Sequence, residues 1–153
     1  MLLMSRTMPW VRYDFSISLI AGSLKLVLSK LKIRSTLPPA GALQREAKPY
    51  LAAGAAQVVT LELDVADTDA VEPAVQQVAR QLGRLDVIVA NAGVGPLTPT
   101  GRGKLPQMRE TLNVNLVGAI ATIEAALPIF RAQGSGHVVG VTSVAASKGL
   151  PGF

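Results

Sequence analysis

From residue 58 onward the chain alternates short, continuously apolar runs with stretches of helical periodicity. Val58–Val65 (VVTLELDV), Leu85–Ala90 (LDVIVA) and His137–Thr142 (HVVGVT) are apolar and rich in β-branched residues without strict alternation. That pattern predicts strands buried on both faces, as in a parallel sheet. Between the first two runs, Val71, Val75, Val78 and Leu82 recur at helical spacing. Asp67 or Asp69 is placed to cap that helix and Gly83 to stop it. Asn91-Ala92-Gly93 closes the second strand, and residues 95–104 (GPLTPTGRGK) read as a surface loop. A long helix is expected from about 106 to 132. Pro106 lies in its first turn, and Pro128 is placed to bend or end its last turn. Its stripe of Leu112, Leu116, Ile120, Ile123 and Leu127 is expected mostly in the core. Residues 133–136 read as a turn, and 143–153 as a loop. Strand and helix in alternation predict an α/β fold, a doubly wound parallel sheet (Rossmann-like), here incomplete. Crossovers should be right-handed and ligands should sit at the carboxyl ends of the strands.

The charge divides the chain differently. The net charge of +5 resides entirely in residues 1–36, where Arg6, Arg12, Lys25, Lys30, Lys32 and Arg34 face Asp14 alone. Residues 37–153 balance nine basic against nine acidic side chains. The basic character therefore belongs to a segment, 1–36, and not to a folded face of the 37–153 domain, so no nucleic-acid partner is expected. With 153 residues there is material for one domain and one core. The absence of cysteine excludes disulfides, thiolate metal sites and cysteine nucleophiles, and suits a cytoplasmic location. No uninterrupted apolar run reaches eighteen residues, so no ordinary membrane span is expected.

Candidate chemistry lies at the strand ends. Leu63-Asp64-Val65, Asn91-Ala92-Gly93, Leu112-Asn113-Val114-Asn115-Leu116 and Val141-Thr142-Ser143 occur in that order. The intervals are 27 residues from Asp64 to Asn91, 24 to Asn115 and 28 to Ser143. This ordered set resembles the short-chain dehydrogenase/reductase family, and Gly149-Leu150-Pro151-Gly152 looks like the family's loop before its catalytic tyrosine. The resemblance extends from about residue 54 to 153 and makes 37–153 a partial NAD(P)-binding Rossmann domain. It implies an oxidoreductase that moves a hydride between NAD or NADP and a small-molecule carbonyl or secondary alcohol, with no metal. It implies that Asp64, Val65, Asn91, Ala92 and Gly93 line the cofactor site. Asn115 matches the catalytic asparagine that kinks the long helix and holds a relay water, and Ser143 the catalytic serine that polarises the carbonyl. Ser147 is the rival serine, and Asn113 reads as structural or exposed. The lone His137 reads as a structural hydrogen-bonder. The family's long helix also builds a dimer interface, so self-association through 106–132 is a candidate.

The chain departs from the family in two places. The family's general acid is a tyrosine with a lysine four residues on. Here the tyrosines are Tyr13 and Tyr50, followed at that spacing by Ile17 and Gly54, so the 153-residue chain is expected to be inactive. The family's Thr-Gly-x-x-x-Gly-x-Gly phosphate turn has as its counterpart residues 18–25 (SLIAGSLK), in which Gly22 alone survives. Residues 1–36 read foremost as sequence unrelated to the fold, introduced by an alternative exon or frameshift. The other readings are a degenerate first βαβ unit, with 31–34 as its second strand, or a basic amphipathic segment suited to a membrane surface. An interaction module that pairs with full-length relatives is the non-enzymatic alternative.

Overall fold

The computed structural model describes residues 18–21, 25–30, 48, 51–52 and 57–148. Tyr13, Tyr50, Gly22, the stretch 31–34 and the loop 149–152 lie outside the described residues. Strands β1 (Ser18–Ala21), β2 (Lys25–Lys30), β3 (Gln57–Glu62), β4 (Val87–Ala90) and β5 (His137–Gly140) form one sheet in the order β3-β2-β1-β4-β5. Helix α1 is Thr68–Leu82. The long helix runs as α2 (Leu105–Leu112), a π-helical turn (Asn113–Val117) and α3 (Gly118–Gln133). β2 is parallel to β3, and β4 to β5. β1 is antiparallel to both of its neighbours, β2 and β4. Four strands therefore share one direction and β1 alone is reversed. The fold is α/β with a parallel sheet, incomplete.

The core forms where the sequence pattern predicts it between α1 and the strands. Val71, Ala74, Val75, Val78 and Leu82 of α1 are buried with Leu63, Leu85 and Ile88. Gly83 ends the helix in the left-handed conformation (φ 75°), its N–H donating to the Arg80 carbonyl. Asp67 occupies the N-cap, but its carboxylate makes no cap bond; its backbone N–H donates to the Asp64 carbonyl at 3.1 Å instead.

The long helix corrects one expectation. The face packed inward is the small-residue one, with Val114, Gly118, Thr122, Ala125, Ala126 and Phe130 buried. Of the apolar stripe, Leu112, Leu116 and Ile120 are 58%, 53% and 52% exposed, while Ile123 and Leu127 are half-buried. The reason is steric. Small side chains let a helix axis come close to its neighbours, and the bulky stripe cannot share that face. At Gly118 an added Cβ would stand 2.7 Å from Cγ2 of Val65 and 3.0 Å from its carbonyl oxygen. The buried Thr122 hydroxyl donates back to the Gly118 carbonyl at 2.8 Å, so it brings no unpaired polar group into the contact. Pro128 does not end the helix, which continues to Gln133 and stops at Gly134 (φ 73°). A proline costs one helical bond, and burial of Ala125, Ala126 and Phe130 on both sides of it holds the turn. By length and composition alone the 29 residues Leu105–Gln133 could cross a membrane, a feature hidden from a search for uninterrupted apolar runs. Here α3 packs along α1 through its small-residue face, and 28% of the apolar window is buried.

The far end of α3 is tied to the sheet by Gln133. Its Oε1 accepts from Leu85 N–H at 3.0 Å and its Nε2 donates to the Leu85 carbonyl at 2.5 Å. The Gly118 contact yields a stability prediction. Gly118→Ala gains helix propensity of roughly 1 kcal/mol, yet overpacking against Val65 costs about 1–3 kcal/mol. A net loss is expected in urea denaturation. Gly140→Ala, where an added Cβ meets nothing within 4 Å, should leave the midpoint unchanged.

Candidate functional site

The register of the strands gathers the predicted residues at one edge of the sheet. Ala90 of β4 lies opposite Gly140 of β5, and Val141 N–H donates to the Ala90 carbonyl at 3.0 Å. Asn91 and the Thr142–Ser143 pair thus leave the sheet side by side. At the same edge β3 ends with Glu62 in register with Lys30 of β2, and Asp64 follows two residues later.

Asn115 sits in the middle of the π-helical turn, where the Gly118 N–H donates to the Asn113 carbonyl. Both ends of its amide bond one neighbour. Oδ1 accepts from the Val94 N–H at 2.8 Å and Nδ2 donates to the Val94 carbonyl at 2.9 Å. Both backbone groups of the residue after Asn91-Ala92-Gly93 are therefore satisfied by a helix side chain, as a paired strand would satisfy them. Asn113 is exposed, as expected. Val94 as the partner was not legible in the sequence. The only signal was the cost of asparagine inside a helix, which implies a compensating bond without naming it.

Gly93 has no left-handed backbone; the positive-φ glycines among the described residues are Gly83, Gly101, Gly103 and Gly134. An added Cβ at Gly93 would stand 3.6 Å from Asn115 Oδ1, an ordinary contact. Asn91 and Ala92 are half-buried, and Ala92 packs on the core.

Asp64 is half-buried and its Oδ1 accepts from the Ala66 N–H at 2.9 Å, closing the turn that leads to α1. Val65 was expected to line the cofactor site. The residue is instead 2% exposed, in the core and under Gly118.

The two serines separate clearly. Ser143 is exposed at the end of the segment after β5, and its Oγ accepts from the Ala145 N–H at 3.2 Å. Its own O–H proton remains available to a ligand oxygen. The Ser147 hydroxyl donates its proton to the Val144 carbonyl at 3.1 Å. The geometry therefore favours Ser143 as a donor to a carbonyl. His137 opens β5 with its backbone N–H on the Asp86 carbonyl at 2.8 Å. Among the described residues no three His, Asp or Glu side chains cluster as metal ligands.

The Asn115–Val94 pairing predicts graded losses. Asn115→Ala removes both exposed bonds to Val94 and should cost about 0.5–1.5 kcal/mol for each. Asn115→Asp keeps an acceptor for the N–H and should cost less. Amide exchange at Val94 should quicken more in the alanine variant than in the aspartate variant, while exchange within α1 stays ordered as in the wild type.

Comparison with known proteins agrees with this arrangement. A family model described as short chain dehydrogenase matches residues 34–153. An uncharacterised oxidoreductase of Myxococcus xanthus is 40% identical over 116 residues, 76% of this chain and 44% of the relative. Among solved structures, carveol dehydrogenase from Mycobacterium avium in complex with NAD superposes with a TM-score of 0.70 at 29% identity, covering 82% of this chain and 48% of that one. The NADPH-dependent 3-quinuclidinone reductase from Rhodotorula rubra gives 0.69 at 25% identity, with coverage of 81% and 44%. The chain thus spans about half or less of the length of these proteins. With the motifs in register at one sheet edge and the family pattern matched over 34–153, the chain belongs to the short-chain dehydrogenase family.

Proposed function

We propose that the chain carries the carbonyl-facing part of an NAD- or NADP-dependent oxidoreductase acting on a small-molecule carbonyl or secondary alcohol. The observation that carries this reading is the Ser143 hydroxyl, exposed at the carboxyl edge of the sheet with its proton uncommitted. In this role Ser143 donates to the substrate oxygen and withdraws charge from the carbonyl carbon. Asn115 acts as a positioning residue, holding the Asn91–Val94 loop to the helix. The tyrosines present, Tyr13 and Tyr50, lack a lysine four residues on, so the 153-residue polypeptide has no acid/base of the family type and by itself does not turn over. With the purified chain, NADH or NADPH and a panel of ketones, loss of reduced-nicotinamide absorbance should not exceed the protein-free rate. A rate that saturates with ketone and disappears in Ser143→Ala would overturn the proposed inactivity.

A second reading, an interaction module that pairs with its own kind or with longer relatives, is favoured by the exposed stripe Leu112, Leu116 and Ile120. One side of three successive helical turns is apolar and faces water, which association would relieve. Sedimentation equilibrium should show self-association in the wild type, weakened at least tenfold by Leu116→Lys. A wild type that is monomeric alone and also fails to co-sediment with a full-length relative would dispose of this reading.

A further inference from the structure

The nicotinamide cofactor of the family poses a geometric requirement that this chain's first strand can be tested against. In a doubly wound sheet the pyrophosphate lies on the N-terminus of a helix that follows the first strand at the carboxyl edge. That arrangement needs β1 to run in the direction of its neighbours. The registers show the opposite. Ser18, Leu19 and Ile20 lie opposite Val89, Ile88 and Val87 of β4, and Ser18 and Ala21 lie opposite Leu28 and Lys25 of β2. The carboxyl end of β1 therefore points away from Asn91 and Ser143. The three residues between Ala21 and Lys25 are also far fewer than the dozen or so that a helical crossover between parallel strands requires.

Five backbone donors at the site edge are already bonded within the protein. Ala66 N–H is bonded to the Asp64 carboxylate, Asp67 N–H to the Asp64 carbonyl and Val94 N–H to Asn115. Ala145 and Ala146 N–H are both bonded to Ser143. Of basic residues the strands bring Lys30 to this edge, in register with Glu62. β1 and β2 also precede residue 34, where the family pattern begins.

We infer that β1 and β2 stand in place of the family's first βαβ unit, so that the described residues form no pyrophosphate cradle and the chain does not bind a nicotinamide dinucleotide any better than the nucleoside alone. The residues present do not fit the intact cofactor. This inference rests on the family placement and is independent of whether the chain turns over.

Two measurements on the full chain test it. The chain has no cysteine, so strand direction can be read by paired substitution. Ser18→Cys with Val89→Cys, and Ile20→Cys with Val87→Cys, place thiols on directly opposed residues, within the roughly 4.4–6.8 Å that a disulfide spans between Cα atoms. Both pairs should oxidise to intramolecular disulfides found by peptide mapping. Ser18→Cys with Val87→Cys, and Ile20→Cys with Val89→Cys, should not. Cross-linking of the latter pairs in preference, or of none, would overturn the inference. In parallel, adenosine, NADH and NADPH are titrated by calorimetry into the wild-type chain. Affinities for the dinucleotides within threefold of that for adenosine, or no saturation by any of them at millimolar concentration, agree with it. A dinucleotide bound at least tenfold more tightly than adenosine would sink it. Neither readout depends on turnover, so failure here and failure of the inactivity proposal are separate events.

Discussion

The site depends on how closely the long helix approaches the ends of β3 and β4. Asn115 and Gly118 are three residues apart and so lie on one side of the helix. The first bonds both backbone groups of Val94, and the second presses on Val65 at a distance that no side chain would allow. One helical face thereby holds two loops at once, the Asp64 loop after β3 and the Asn91–Val94 loop after β4. The π-helical turn is the local cost of this arrangement. Such turns are rare and gather at functional positions. Here the turn places Asn115 where its amide can reach Val94 while Gly118 still faces Val65. The two Asn115 bonds return stabilisation of about 0.5–1.5 kcal/mol each.

Much of the frame was legible in the sequence because continuous apolar runs and 3.6-residue spacing are local signals. The strands β3, β4 and β5 and helix α1 appear within a few residues of their expected places, and Gly83 and Gly134 end helices as left-handed glycines do. The gathering of Asp64, Asn91 and Ser143 at one edge also followed, since parallel strands deliver their carboxyl ends together. What was not legible is what depends on partners distant in sequence. Asparagine in a helix announces a compensating bond but not its recipient. Gln133 gave no signal of its pairing with Leu85, 48 residues away. The direction of β1 is set by strand pairing, and the apolar content of residues 18–21 is indifferent to it.

The long helix shows why apolar size is a poor guide to burial. Reading it by leucine and isoleucine selects the wrong side, because the inner face is chosen by how near the axis must come. Gly118, Thr122, Ala125 and Ala126 permit contact with α1 and the β3 loop, and only Phe130 among the large side chains is taken into the interior. Phe130 requires its own concession at Gly136, where an added Cβ would stand 2.1 Å from the ring. Small residues at these positions carry as much information about packing as large ones, and they explain why Leu112, Leu116 and Ile120 remain in contact with water.

Rigidity and anion binding compete for the same backbone N–H groups at this edge. A phosphate is held where successive amides point outward without internal partners. Here the Ala66 and Asp67 amides are bonded to Asp64, the Val94 amide to Asn115, and the Ala145 and Ala146 amides to Ser143. Those bonds keep the motif residues in place without any ligand, and they commit these five amides to the protein itself. In a sheet whose first strand ran with its neighbours, a separate helix N-terminus would supply the anion site. With β1 reversed that division of labour is lost. What the edge retains is a fixed frame around the exposed Ser143 hydroxyl, a chemistry suited to orienting an uncharged oxygen.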